Sequence, residues 1–151
     1  MIPKSAKPII LIFAITFLLW GTVIYVLYRP LDLYMFKPFE FTNTLATIEH
    51  LRSLYTNYVD ADIPEWVIYN LPDGLWLLSY MFVIDIIWNS EEILKTVFLW
   101  IVPILIVCHE LLQLLDVIRG TWDVLDLLFY SLAICMYLLI KNIVYVKKED
   151  L

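Results

Sequence analysis

The chain alternates long apolar runs with short polar breaks, and the length of each run says what it is. Pro8 to Tyr28 reads PIILIFAITFLLWGTVIYVLY, with no charge in it. That supplies the ~20 apolar residues a helix needs to cross a hydrocarbon core. The end of the run carries Trp20, Tyr25 and Tyr28, an interfacial aromatic belt, and it lacks a small-x-small cleavage site. It is therefore predicted to be an uncleaved span rather than a signal peptide. Three further runs predict helices over about 71–88, 93–115 and 122–140. Pro72 and Asp73 head the second run. Proline has no N–H to be orphaned there, and a carboxylate meets the positive end of the helix dipole. Ser90, in the turn Asn89-Ser90-Glu91-Glu92, is placed to cap the third helix, and Pro103 falls in that helix's middle.

Residues 29–70 have another character, with charges from Arg29 to Glu65 dispersed among aromatics. Within them Asn43 to Tyr55 carries Leu45, Ile48, Leu51 and Leu54 with charge between. That spacing of threes predicts a short amphipathic helix lying on the membrane surface or capping the bundle.

Composition turns these segments into a class. Of the 151 residues, 62% are hydrophobic and 17% charged, whereas a soluble domain carries about 25% charged residues. A chain this short cannot hide so much apolar surface from water, so lipid must cover it. Helices suit that solvent because they satisfy their backbone polar groups internally. The expected fold is an all-α integral membrane four-helix bundle, a single transmembrane domain over residues 1–151, with residues 29–70 as a loop bearing the amphipathic helix. The net charge of −6 excludes little, but no basic patch exceeds two adjacent lysines, which argues against nucleic acid. Cys108 and Cys135 lie in apolar runs and read as buried small hydrophobes rather than a disulfide or a metal pair.

Four spans put both termini on one side. That side holds Lys4, Lys7, Lys95, Lys141, Lys147 and Lys148; the other holds Arg29, Lys37, Arg52 and Arg119. The lysine bias predicts both termini in the cytoplasm.

This topology gathers polar residues at the outward ends of three helices. Asn70 and Asp73 begin the second, Glu110 and Gln113 end the third one turn apart, and Asp123 and Asp126 begin the fourth, with Arg119 in the turn between. Ionisable groups in spans are costly and face the bundle interior or a wet cavity, so Asp73, Glu110, Gln113, Arg119, Asp123 and Asp126 form the candidate binding site. A structural reading stands beside it. Asp73, Asp123 and Asp126 are where caps and dipole-compensating charges belong, and Arg119 can pair with Glu110 or Asp126 to hold the turn. His109 points about 100° away from Glu110 and reads as a hydrogen-bonded structural group. Asp85, inside the second run, is expected to snorkel or to pair with Lys95. Ser79 and Ser131 are expected to bond back to their own turns. Paired carboxylates in a pocket of low dielectric suit general acid–base work, but no motif of an intramembrane hydrolase is present. No metal and no cofactor is expected, and the residues leave open whether any reaction is catalysed.

The segment His109-Glu110-Leu111-Leu112-Gln113, followed by Arg119-Gly120-Thr121-Trp122-Asp123-Val124-Leu125-Asp126, resembles the signature of VanZ-like membrane proteins. Glu110, Gln113, Arg119 and Asp126 are the matching positions, with Asp123 adjacent. The family's earlier helix usually shows a His and a Tyr, and an Asn follows one turn beyond the aspartate. Here the earlier helix has Tyr80 but no histidine, and Phe129 and Tyr130 stand where the Asn is expected. The resemblance implies a bacterial cytoplasmic membrane protein of about four or five spans, in a family some of whose members are linked to teicoplanin resistance. The expected role is binding a lipid head group or a lipid-linked envelope precursor, with Arg119 meeting an anion such as phosphate. The alternative is an accessory subunit whose polar cluster glues helices together and whose loop docks a membrane-protein partner.

Overall fold

In a computed structural model, the structure describes residues 6–39, 41–58, 62–88 and 93–149. These residues form α1 (Lys7–Tyr28), a 3-10 turn (Tyr34–Phe39), α2 (Thr44–Tyr58), α3 (Glu65–Tyr69), α4 (Leu71–Ile87), α5 (Ile93–Leu114) and α6 (Val124–Glu149), and no strand is present among them. Four segments are long and apolar enough to cross a membrane: Lys7–Tyr28, Glu65–Ile87, Ile93–Leu114 and Val124–Val144. The chain is thus an all-α, multi-pass membrane protein. Its outer surface agrees, since Ile12, Trp20, Leu105, Leu139 and Ile143 are all largely uncovered by protein. Contiguous apolar surface on that scale has no place on a soluble monomer.

Two boundaries differ from those the hydrophobic pattern predicts. The second span begins at Glu65 rather than Leu71, because α3 runs into α4 across Asn70, whose backbone stays near the helical region (φ −109°, ψ −36°). The last helix continues through its polar end to Glu149. The predicted cap at Ser90 lies outside the described residues.

The core is centred on α4, which packs along α1 on one side and α6 on the other, with α5 touching it less extensively. Small residues permit the two close approaches, as is usual where no hydrophobic effect drives helices together. A Cβ on Gly21 of α1 would lie 2.8 Å from Trp76 Nε1 and 3.1 Å from the Pro72 carbonyl oxygen of α4. A Cβ on Gly74 of α4 would lie 3.1 Å from the Phe129 carbonyl oxygen of α6. Ala14 is fully buried and its carbonyl accepts from Ser79 Oγ of α4 at 2.8 Å. Ser79 therefore joins two helices rather than bonding back to its own turn. Cys108 and Cys135 are free and exposed on the lipid-facing surface, not buried. Apolar sequence cannot separate the two environments, since hydrocarbon and protein core accept the same side chains.

The amphipathic helix is present as α2. Ile48 is buried, whereas Leu51 and Leu54 are exposed. Arg52 ties the helix to the end of α1: its Nε donates to the Val26 carbonyl at 2.8 Å and its Nη2 donates to the Arg29 carbonyl at 2.6 Å. These are carbonyls that a helix C-terminus leaves without intrahelical partners, so the guanidinium acts as an external cap. Burial lowers the Arg52 pKa from its ordinary value. A hydrogen bond between the hydroxyls of Tyr28 and Tyr55 adds a second tie.

Candidate functional site

Successive spans run in opposite directions, so the end of α1, the start of α4, the end of α5 and the start of α6 meet at one end of the bundle. Asn70 is the hub of the polar residues there. It is 2% exposed, and its Nδ2 donates to Asp123 Oδ2 at 2.9 Å and to Asp126 Oδ1 at 2.7 Å. Asp123 Oδ1 accepts from the Leu125 backbone N–H at 2.8 Å, which makes Asp123 the N-cap of α6. Asp123 therefore does both things expected of it, capping a helix and joining the cluster.

Glu110 reaches the same place from α5. It is 6% exposed, lies within hydrogen-bonding reach of the Asp123 backbone and feels the charge of Asp126. Its Oε1 is 3.7 Å from His109 Nδ1, and its Oε2 is buried with no hydrogen-bond partner. Asp73, in the first turn of α4, lies in the fields of Asp126 and Glu110, opposed by Arg29. Tyr130 of α6 faces all three of these carboxylates. Arg29, just past the end of α1, supplies the cation. Its guanidinium lies over the rings of Tyr25 (5.2 Å) and Tyr69 (4.9 Å), and its Nε is buried with no hydrogen-bond partner.

Of the six site residues expected from sequence, Asp73, Glu110, Asp123 and Asp126 come together. Gln113 and Arg119 are placed elsewhere. Helix α5 ends in a Schellman motif: Val117 N–H donates to the Leu112 carbonyl at 2.9 Å and Asp116 N–H to the Gln113 carbonyl at 3.0 Å, with Asp116 at φ 55°. Gln113 packs into the turn that follows. Its Nε2 is 3.4 Å from His109 Nδ1, and it lies so close to Gly120 that a Cβ there would come within 2.2 Å. Arg119 is exposed on this turn, and none of the cluster's hydrogen bonds involves it. The cation that serves the carboxylates is Arg29, and the residues that sequence reasoning left off the site are Arg29, Asn70 and Tyr130. Helix alternation was the available signal for Arg29, since it ends the first span and so shares a level with Asn70.

No family model, curated protein or solved structure matches this chain.

Beside the cluster, a cavity of about 280 Å³ opens between α4, α5 and α6. Asp73 and Tyr130 connect it to the polar residues, and Trp76, Leu77, Tyr80, Val102 and Ile106 complete the wall. The Tyr80 ring is held in place by its hydroxyl, which donates to the Phe98 carbonyl. Nearby Pro103, buried in α5, cannot donate to the carbonyl one turn before it. Among the described residues no group of three or more His, Cys, Asp or Glu side chains is arranged to hold a metal ion. The arrangement sets negative charge and acceptor oxygens next to an open recess with an apolar, aromatic wall.

Proposed function

We propose that this protein binds a membrane amphiphile, lodging an apolar or aromatic-contacting portion in the α4–α5–α6 cavity while the head group meets the carboxylate cluster. The observation that carries this reading is the cavity itself, whose wall is aliphatic and aromatic apart from Asp73 at the side of the cluster. Ligand sites have this composition, with apolar walls and few polar groups that fix orientation. The resemblance of residues 109–126 to VanZ-like proteins supports a bacterial cytoplasmic membrane and a role in cell-envelope processes. The lysine bias supports cytoplasmic termini, which would turn the cluster outward toward envelope precursors. Arg29 takes over the anion-meeting role first assigned to Arg119.

Native mass spectrometry of the detergent-extracted protein tests this. The parent should retain a lipid-sized adduct, and Ile106→Trp, which fills the cavity, should lose it while remaining helical and monodisperse. Equal retention by the two proteins would remove the reading. A second reading, interhelical glue within an accessory subunit, draws on Asn70 bridging two α6 carboxylates. Under that reading neutralising the carboxylates would destabilise the bundle rather than remove an adduct from a stably folded protein.

A further inference from the structure

We propose that the head group recognised at this site carries an ammonium, so that the amphiphile is a membrane lipid with a cationic amine rather than one whose head is purely anionic. The inference rests on the amphiphile reading and specifies its ligand class. Three of the cavity's lining residues are aromatic, Trp76, Tyr80 and Tyr130, and the one carboxylate in the lining is Asp73. An ammonium is attracted to the faces of such rings and to a carboxylate at the same time, whereas a phosphate is attracted to neither. The surroundings add to this preference. Asp73 and Tyr130 both lie in the fields of Asp126 and Glu110, so a second anion would meet like charge. Glu110 is 6% exposed and adds to the negative field at Asp73 from outside the cavity wall. An ammonium entering the cavity offers three donors to the Asp73 carboxylate.

Arg29 opposes that field at Asp73. Its guanidinium lies over the rings of Tyr25 and Tyr69 and is not part of the cavity wall, so it does not occupy the cavity. Arg119 is exposed on the α5–α6 turn and is not part of the cavity wall either. A lipid rather than a soluble cation is the occupant, because the cavity lies at the level of the spans and its remaining wall, Leu77, Val102 and Ile106, is aliphatic.

The test offers the purified protein equal amounts of phosphatidylethanolamine and phosphatidylglycerol with identical acyl chains, read by native mass spectrometry. The parent should favour phosphatidylethanolamine by about tenfold, which corresponds to about 1.4 kcal/mol. Asp73→Asn and Tyr130→Leu should each bring that ratio toward unity, and Ile106→Trp should abolish both adducts. Equal or greater retention of phosphatidylglycerol, still sensitive to Ile106→Trp, would overturn the ammonium assignment and leave amphiphile binding standing. Adducts insensitive to Ile106→Trp would overturn both. Displacement of the lipid by millimolar tetramethylammonium chloride, as effective as displacement by phosphatidylethanolamine, would overturn the choice of a lipid over a soluble cation.

Discussion

The two ends of the bundle handle charge in opposite ways. At the end where α1 begins, every charge with a described side chain has a partner. Lys95 of α5 forms a buried ion pair with Asp85 of α4, as its place in the sequence predicted, and Tyr137 of α6 donates to Asp85 Oδ2 at 3.0 Å. Lys7 Nζ donates to the Ile86 carbonyl at 2.9 Å, capping α4, and Lys141 lies over the Tyr137 ring at 5.5 Å. At the other end, Asp73, Glu110, Asp123 and Asp126 gather round one amide, Asn70, with Arg29 the cation within their field. The first arrangement closes on its own ion pair and joins three helices. The second gathers carboxylates in excess over Arg29, with Asp73 in the wall of an open cavity. A membrane protein tolerates such an excess where something else supplies the missing charge.

Breaking the ion-paired end should do the most damage. Asp85→Leu leaves Lys95, itself 5% exposed, as a buried charge without its anion, and it removes the acceptor of Tyr137. The expected loss is about 3–5 kcal/mol in unfolding free energy, measured by denaturant titration in mixed micelles. The double variant Asp85→Leu/Lys95→Met should recover most of it, because apolar groups of similar volume need no partner. A single variant as stable as the parent would mean that this end is not the lock described.

A smaller effect is expected where α1 meets α4. Gly21→Leu drives a side chain against Trp76 and the Pro72 carbonyl, and overpacking of this kind costs about 1–3 kcal/mol. Trp76 also lines the cavity, so retained lipid should fall along with the unfolding free energy, while the Asp85–Lys95 end keeps its hydrogen-exchange protection. Loss of protection at both ends alike would show that the two are not energetically separate.

The comparison also marks what can be read from sequence. Run length and period were enough for the four spans and for α2, because a bilayer constrains length and a surface constrains periodicity. Alternation of direction was enough to bring Asp73, Glu110, Asp123 and Asp126 to one end, and to set Asp85 near Lys95. It was not enough to choose between Arg29 and Arg119. Proximity in sequence favoured Arg119, but the Schellman turn after α5 leaves that side chain exposed, whereas Arg29 arrives through the fold. Nor did hydrophobicity separate lipid-facing Cys135 from buried Tyr137 two positions on, since both environments are apolar.

The smallest expected change in stability discriminates best between a lock and a site. Glu110→Gln/Asp126→Asn removes one buried and one half-buried carboxylate but keeps an acceptor oxygen at each position. The Asp123 backbone can still donate to residue 110, and Asn70 Nδ2 can still donate to residue 126. Relief of like-charge repulsion offsets whatever strength the charged hydrogen bonds lose, so unfolding free energy should move by less than about 1 kcal/mol. That contrasts with the about 3–5 kcal/mol expected for a comparable removal of charge at Asp85. If the carboxylates instead glue the helices, their neutralisation should destabilise the bundle as Asp85→Leu does. If they serve a ligand, the folded variant should survive in micelles with its adduct diminished, a separation of stability from binding that a purely structural cluster has no means to produce.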